Sequence, residues 1–208
     1  PQTDGRDTVL GKREIVEDGN GSIGGGPALR FNTASEEEIR NADVADVYFH
    51  RTMEVLRARG LEHIPFPVEV AYKTPDEHVW FVVAGLDEVA ALLEGTGVEA
   101  RAVPEGTICR PNEPILTLSG PYSAFAEHET AILGFLCQAS GVATGAARCK
   151  LAAGERTLIS FGARRMHPAV TPMIERAAYL GGCDGVAVEL AAKRLGIPAT
   201  GTIPHALV

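Results

Sequence analysis

Residues 157–208 read TLISFGARRMHPAVTPMIERAAYLGGCDGVAVELAAKRLGIPATGTIPHALV, and their rhythm decides the fold. The apolar, β-branched run 157–161 predicts a strand, and 172–180, opened by Pro172, predicts a helix. A short strand is expected at Cys183, a helix over 187–195, and a third strand over 198–203. Strand, helix, strand, helix, strand in fewer than fifty residues implies a parallel sheet with right-handed crossovers. Three such strands amount to an incomplete barrel, because a closed eight-stranded one needs more than twice the chain that follows Ser123.

Upstream the pattern differs. Residues 28–122 predict an α+β domain of helices on a small sheet, so the expected class is α/β: an N-terminal α+β domain, then an incomplete parallel α/β barrel over 123–208. Thr33-Ala34-Ser35-Glu36-Glu37-Glu38 is a capping-type helix start, and a helix over 47–59 ends at Gly60. Strands are expected at 68–72, 79–84, 100–103 and 115–119, with a short helix at 89–93 and a turn at Pro104-Glu105-Gly106. A long helix over 125–139 leads to a further helix over 144–153. Residues 1–27 are polar and glycine-rich and are expected to form a mobile arm; Gly24-Gly25-Gly26 lacks the strand and helix of a phosphate loop.

A formal net charge of −8 argues against a nucleic-acid backbone as partner. A small anion remains compatible, since a few local arginines and helix termini can hold one. The most apolar region, 130–147, is broken by Gln138, Ser140, Gly141 and Gly145, which predicts a buried helix with a glycine-rich exit and no membrane span. No basic segment leads into an apolar stretch near residue 1, and a cytoplasmic protein is expected. Cys109, Cys137, Cys149 and Cys183 form no CxxC pair; reduced thiols are expected, with a zinc site or a disulfide framework as alternatives.

Ligands of parallel α/β folds gather at the C-terminal ends of the strands, and three clusters are expected there. In Phe161-Gly162-Ala163-Arg164-Arg165-Met166-His167-Pro168, Gly162 permits close backbone approach and Arg164 offers a planar fork for a carboxylate or phosphate. Gly181-Gly182-Cys183-Asp184-Gly185 holds an acid between glycines, and Gly201-Thr202-Ile203-Pro204-His205 sets a histidine past a strand. Each alone has a plain alternative: a solvated arginine pair, a turn aspartate, a structural histidine. Convergence of Arg, Asp and His at successive strand ends favours a site.

The run 159–208 resembles the first half of the barrel of the nicotinate phosphoribosyltransferases. Upstream, Ala45-Asp46-Val47-Tyr48 with Thr52-Met53 resembles that family's Asp-x-Tyr segment. Pro104-Glu105-Gly106-Thr107 and Pro111-Asn112-Glu113-Pro114 match its strand-turn element, and Glu129-Thr130-Ala131-Ile132-Leu133 its long helix. The resemblance covers nearly everything after about residue 40. It implies transfer of ribose 5-phosphate from phosphoribosyl pyrophosphate to nicotinate in NAD salvage, with ATP as co-substrate and Mg²⁺ balancing the leaving group. Residue by residue, it implies that Phe161 stacks on the pyridine ring and that Tyr48 covers its other face from a partner subunit. Arg164, beside Arg165, binds the carboxylate; Asp184 orients the ring or receives its nitrogen side; Thr202 lies beside His205, the position phosphorylated by ATP. A homodimer or higher homo-oligomer with shared sites follows, and no residue of this chain is singled out as a metal ligand.

The related quinolinate enzymes carry an arginine just before the Thr-Ala or Val-Ala of the long helix, where this chain has Glu129 after His128. An acid facing a dianion lowers affinity, which favours a monocarboxylate. Nicotinamide enzymes keep the equivalent arginine but are longer, with insertions absent here. The family's Ser-Gly-Asp loop has no counterpart, so the sequence is expected to be a truncated or partial chain, or one completed by a second polypeptide. A non-catalytic fragment retaining the pyridine pocket or dimer surface, and an unrelated α/β phosphate-binding barrel, are the other readings.

Overall fold

The computed structural model describes residues 31–74, 79–203 and 205–207; the expected arm and its glycine run lie outside the described residues. In chain order the elements are α1 (Glu36–Arg40), α2 (Val47–Arg59), β1 (Pro65–Ala71), β2 (Phe81–Val82), α3 (Leu86–Leu93), β3 (Glu99–Ala102) and β4 (Ile108–Cys109). There follow β5 (Pro114–Pro121), α4 (Glu129–Ala153), β6 (Ile159–Ser160), α5 (Thr171–Leu180), β7 (Gly185–Val186) and α6 (Glu189–Leu195).

The capping signals act as read. Ser35 Oγ accepts from the Glu38 amide at 3.2 Å, and the Glu38 carboxylate accepts from the Ser35 amide at 2.7 Å. Helix α2 has the expected bounds and stops at Gly60, whose φ of 66° lies in the left-handed region. Strands β1, β5 and β3 form an antiparallel sheet with Leu118 facing both Val68 and Ala100 in register. Leu116 and Leu118 point from it into a core with Val83, Val89, Ile132 and Leu136.

A second pair, β2 with β4, was not expected as such. The expected strand 79–84 contracts to Phe81–Val82, although Val83 still donates to Thr107 O and accepts from Gly106 N. The chain must turn at Gly85 (φ 92°), where a Cβ would lie 2.5 Å from the Phe135 carbonyl oxygen of α4. That approach leaves no room for the strand to continue.

Helix α4 is one helix of 25 residues, not two pieces joined by a glycine-rich exit. At Gly134, Gly141 and Gly145 a Cβ would meet nothing within 4 Å, so these glycines face open space. Each costs about 1 kcal/mol of helix propensity, which burial of Ile132, Leu136, Ala139 and Ala143 on the other face outweighs. The polar breaks serve as joints. Ser140 Oγ accepts from Ala84 N at 3.0 Å and donates to Ala84 O at 3.1 Å, while Thr144 Oγ1 accepts from Val82 N at 2.9 Å. Length and composition alone would let the run Tyr122–Ala153 cross a membrane, but these buried joints tie it to the strands of its own domain.

Strands β6 and β7 pair in parallel, Ile159 with Gly185 and Ser160 with Val186, with α5 as the crossover. Helix α5 ends against α4 at Gly181, where any Cβ would lie 2.2 Å from Ala143 O. Two expectations need correction. The second strand begins at Gly185 instead of Cys183, because the end of α5 runs on: Gly182 N bonds Tyr179 O and Cys183 N bonds Ala178 O. Residues 198–203 form no strand; Thr200 N donates to Val186 O at 2.8 Å, and Pro198 has no N–H to extend the ladder. The described parallel sheet therefore has two strands with Thr200 alongside the second. All four cysteines are free thiols, Cys109 and Cys183 buried, Cys137 and Cys149 exposed.

Candidate active site

The C-terminal end of β6 leads straight into the arginine cluster. Phe161, 46% exposed, follows the strand, and Ala163–Arg165 form a 3-10 turn closed by Arg165 N on Gly162 O. Arg164 and Arg165 project into solvent, and among the described residues neither guanidinium has a hydrogen-bond or ion-pair partner. The loop beyond is held by its own contacts. His167 Nδ1 accepts from Ala169 N at 3.2 Å, and Thr171 Oγ1 donates to Pro168 O at 3.0 Å at the start of α5. The result is an exposed aromatic ring and an uncommitted planar cation on one anchored loop, suited to a flat aromatic anion.

Asp184 does not join them. It precedes β7, at the N-terminal edge of the parallel pair, opposite the end that carries Phe161 and Arg164. Its carboxylate accepts from Lys150 Nζ at 2.8 Å and from Leu158 N at 2.7 Å. The Lys150 hydrogen bond, then the Leu158 amide, hold it below the usual aspartate range. With β7 starting at Gly185, Asp184 fastens α4 to the start of β6 instead of facing the ligand end to orient a ring.

The acid at the ligand end is one that sequence reasoning missed. Glu175 of α5 is fully buried; its Oε1 accepts from Ser160 Oγ at 2.9 Å. Its Oε2 accepts from Ala187 N at 2.7 Å and Val188 N at 3.3 Å. A signal was present, since the buried positions Thr171, Ile174, Glu175 and Ala178 form an i, i+3, i+4, i+7 stripe. A charge within an apolar stripe calls for a reason.

On the N-terminal domain, Tyr48 is 54% exposed on α2, its ring 4.1 Å from that of Phe49. Partial burial and the Glu129 and Asp46 carboxylates push its hydroxyl above the usual range, while burial pushes Glu129 up. Asp46 ties this start of α2 to α4, its amide donating to Thr130 Oγ1 at 3.1 Å. Thr202 is exposed beyond Thr200, and the His205 backbone opens a 3-10 turn, His205–Leu207; the His205 side chain lies outside what is described.

Comparison with known proteins supplies the family. Residues 46–140 match the N-terminal domain of quinolinate phosphoribosyl transferase, and 142–208 match its C-terminal domain. The chain belongs to the quinolinate phosphoribosyl transferase family. Within that family it is similar to nicotinate phosphoribosyltransferase 2 of Arabidopsis thaliana, 36% identical over 178 residues, covering 79% of this chain and 32% of that protein. Human nicotinate phosphoribosyltransferase is 39% identical over 118 residues, covering 56% of this chain and 22% of its own. Among solved structures, nicotinate-nucleotide pyrophosphorylase from Pyrococcus furiosus superposes with TM-score 0.82 at 48% identity, over 86% of this chain and 46% of that one. Human nicotinic acid phosphoribosyltransferase superposes with TM-score 0.71 at 27% identity, over 78% of this chain and 40% of that one. The chain thus spans about a third or less of the curated relatives it matches.

As a quinolinate phosphoribosyl transferase family member, the chain carries one helix, α4, through both matched segments. Among the described residues no group of three or more His, Cys, Asp and Glu side chains could hold a metal ion. A cavity of about 460 Å³ lies away from β6, between β1, β2 and α4, lined by Tyr72, Trp80 and Leu136 among others. The Arg148 guanidinium at its edge sits 5.5 Å over the Trp80 ring and donates to Trp80 O at 3.4 Å, and Lys73 lies on the same rim.

Proposed function

We propose that this chain supplies the pyridine-binding part of a nicotinate phosphoribosyltransferase acting in NAD salvage in the cytoplasm. The observation that carries the reading is the β6 loop, where exposed Phe161 precedes an Arg164 guanidinium that has no partner among the described residues. Phe161 stacks on the pyridine ring and Arg164, flanked by Arg165, takes its carboxylate in a forked hydrogen bond. The nitrogen of the ring attacks C1 of phosphoribosyl pyrophosphate as the C1–O bond to pyrophosphate breaks, giving nicotinate mononucleotide. Because the ribosyl centre becomes cation-like, the site has chiefly to hold both reactants in line and stabilise the departing phosphate. Tyr48, half-exposed on α2, covers the ring from the partner subunit of a homodimer or larger oligomer. His205 accepts the γ-phosphate of ATP beside Thr202, coupling hydrolysis to synthesis, with Mg²⁺ carried in by the phosphate substrates. The names of the Arabidopsis and human relatives support the substrate.

A second reading, quinolinate as acceptor, is favoured by the description of the matching domains. Glu129 opposes it: an acid beside Tyr48 repels the second carboxylate that an arginine there would attract. The test is calorimetric titration of the complete protein with nicotinate. Arg164→Ala should weaken binding by about 1.5–3 kcal/mol, the scale of one charged hydrogen bond. Unchanged affinity would remove the β6 loop from the site.

A further inference from the structure

We propose that Glu175 is a positioning residue that clamps the two strand ends forming the pyridine site; the inference rests on Phe161 and Arg164 being that site. Burying an acid is costly unless its oxygens are satisfied. Glu175 is completely buried, and among the described residues no cation meets it; its three partners are all neutral donors. A hydrophobic side chain would fill the same stripe of α5 without that cost, so its presence calls for a task beyond packing.

The position of the three donors supplies that task. Ser160 is the last residue of β6, immediately before Phe161, and Ala187 and Val188 directly follow β7. The strands themselves pair over only two residues each, too short a ladder to fix what leaves them. Glu175 spans the gap from beneath, one oxygen on each strand end, and so sets the separation between the Phe161 loop and the turn into α6. It touches no substrate. Its effect passes through Ser160 to Phe161 and Arg164, where displacements of the order of 1 Å matter.

Length and acceptor geometry, not charge, are what the clamp requires. Glutamine in the same place keeps an oxygen for both backbone amides and turns its NH₂ toward Ser160 Oγ, whose lone pairs accept. Aspartate keeps the charge but is one methylene too short to reach both ends. The experiment compares the complete wild-type protein with Glu175→Gln, Glu175→Asp and Glu175→Ala. Hydrogen exchange at the amides of 159–162 and 186–188 is read without ligand, and nicotinate affinity by calorimetry. Glu175→Gln should keep wild-type protection and bind within about threefold, whereas Glu175→Asp and Glu175→Ala should lose protection at both strand ends and bind about ten- to a hundredfold more weakly. If alanine fails to fold, the contrast of aspartate with glutamine decides. Wild-type protection in folded Glu175→Asp or Glu175→Ala would overturn the clamp, as would a glutamine variant as loose as alanine. Should the wild type bind no nicotinate while the exchange pattern holds, the substrate reading falls and the clamp stands.

Discussion

Replacing Arg176 by alanine tests how the barrel portion is fastened to the N-terminal domain. Arg176 of α5 meets Glu105 Oε2 at 2.6 Å and also bonds Asp87 at the start of α3. Glu105 Oε1 caps α3, accepting from Gly85 N at 2.6 Å and Leu86 N at 2.8 Å. Burial pushes the Glu105 carboxyl up, but the Arg176 hydrogen bond and charge, with the two amides, outweigh it and hold it below the usual range. On the arginine, burial pushes down and Glu105 more than compensates, so both partners report a net favourable pair. A charged hydrogen bond contributes about 1.5–3 kcal/mol. The Glu105 side chain is 11% exposed but Arg176 is 36% exposed, so solvent screening selects the lower end. Arg176→Ala should therefore cost about 1.5–2 kcal/mol, a fall in Tm of roughly 3–8 °C for a domain of this size.

The pH dependence has a definite sign. Because the folded-state pKa of Glu105 is depressed, its contribution is present above its unfolded value and is lost as pH falls through the folded one. The difference between wild type and Arg176→Ala should be full at neutral pH and shrink below the usual glutamate range. Thermal melts followed by circular dichroism across that range read it directly. Equal melting at neutral pH, or a gap that widens in acid, would mean that the Arg176–Glu105 pair does not stabilise the fold.

Two further outcomes are expected. Asp184→Asn should lower Tm at neutral pH and flatten the acid limb of the stability curve, since the depressed Asp184 carboxyl stabilises the fold only until pH falls through its folded value; an unchanged acid limb in urea titrations would return Asp184 to the list of uncommitted acids. In the complete protein, γ-labelled ATP should leave acid-labile, base-stable label on the wild type and none on His205→Ala, with nicotinate binding nearly intact; equal labelling would remove His205 from the coupling step.

What the sequence made legible was mostly local. The Ser35 box and Gly60 stop set α1 and α2 because their signals are backbone chemistry confined to one turn. The parallel pairing of β6 with β7 followed from alternation of strand and helix. Features that depend on distant contacts were not legible. The glycines of α4 read as an exit, yet the helix continues because its other face is buried. The two-residue slip from Cys183 to Gly185 arose from an overrun of α5, and it moved Asp184 from the ligand end to the opposite edge. Glu175 lies on the same helical stripe as Thr171, Ile174 and Ala178, but only burial against both strand ends reveals what it holds.

The acceptor is what separates the activities of this family's members. Steady-state kinetics of the complete protein with phosphoribosyl pyrophosphate, comparing nicotinate, quinolinate and nicotinamide, tests it most directly. Arg164, without a partner among the described residues, and an acid at Glu129 predict that nicotinate has the highest kcat/KM, by about tenfold or more over quinolinate, the scale of one mismatched charged contact. A higher kcat/KM for quinolinate would mean that Glu129 does not exclude the second carboxylate.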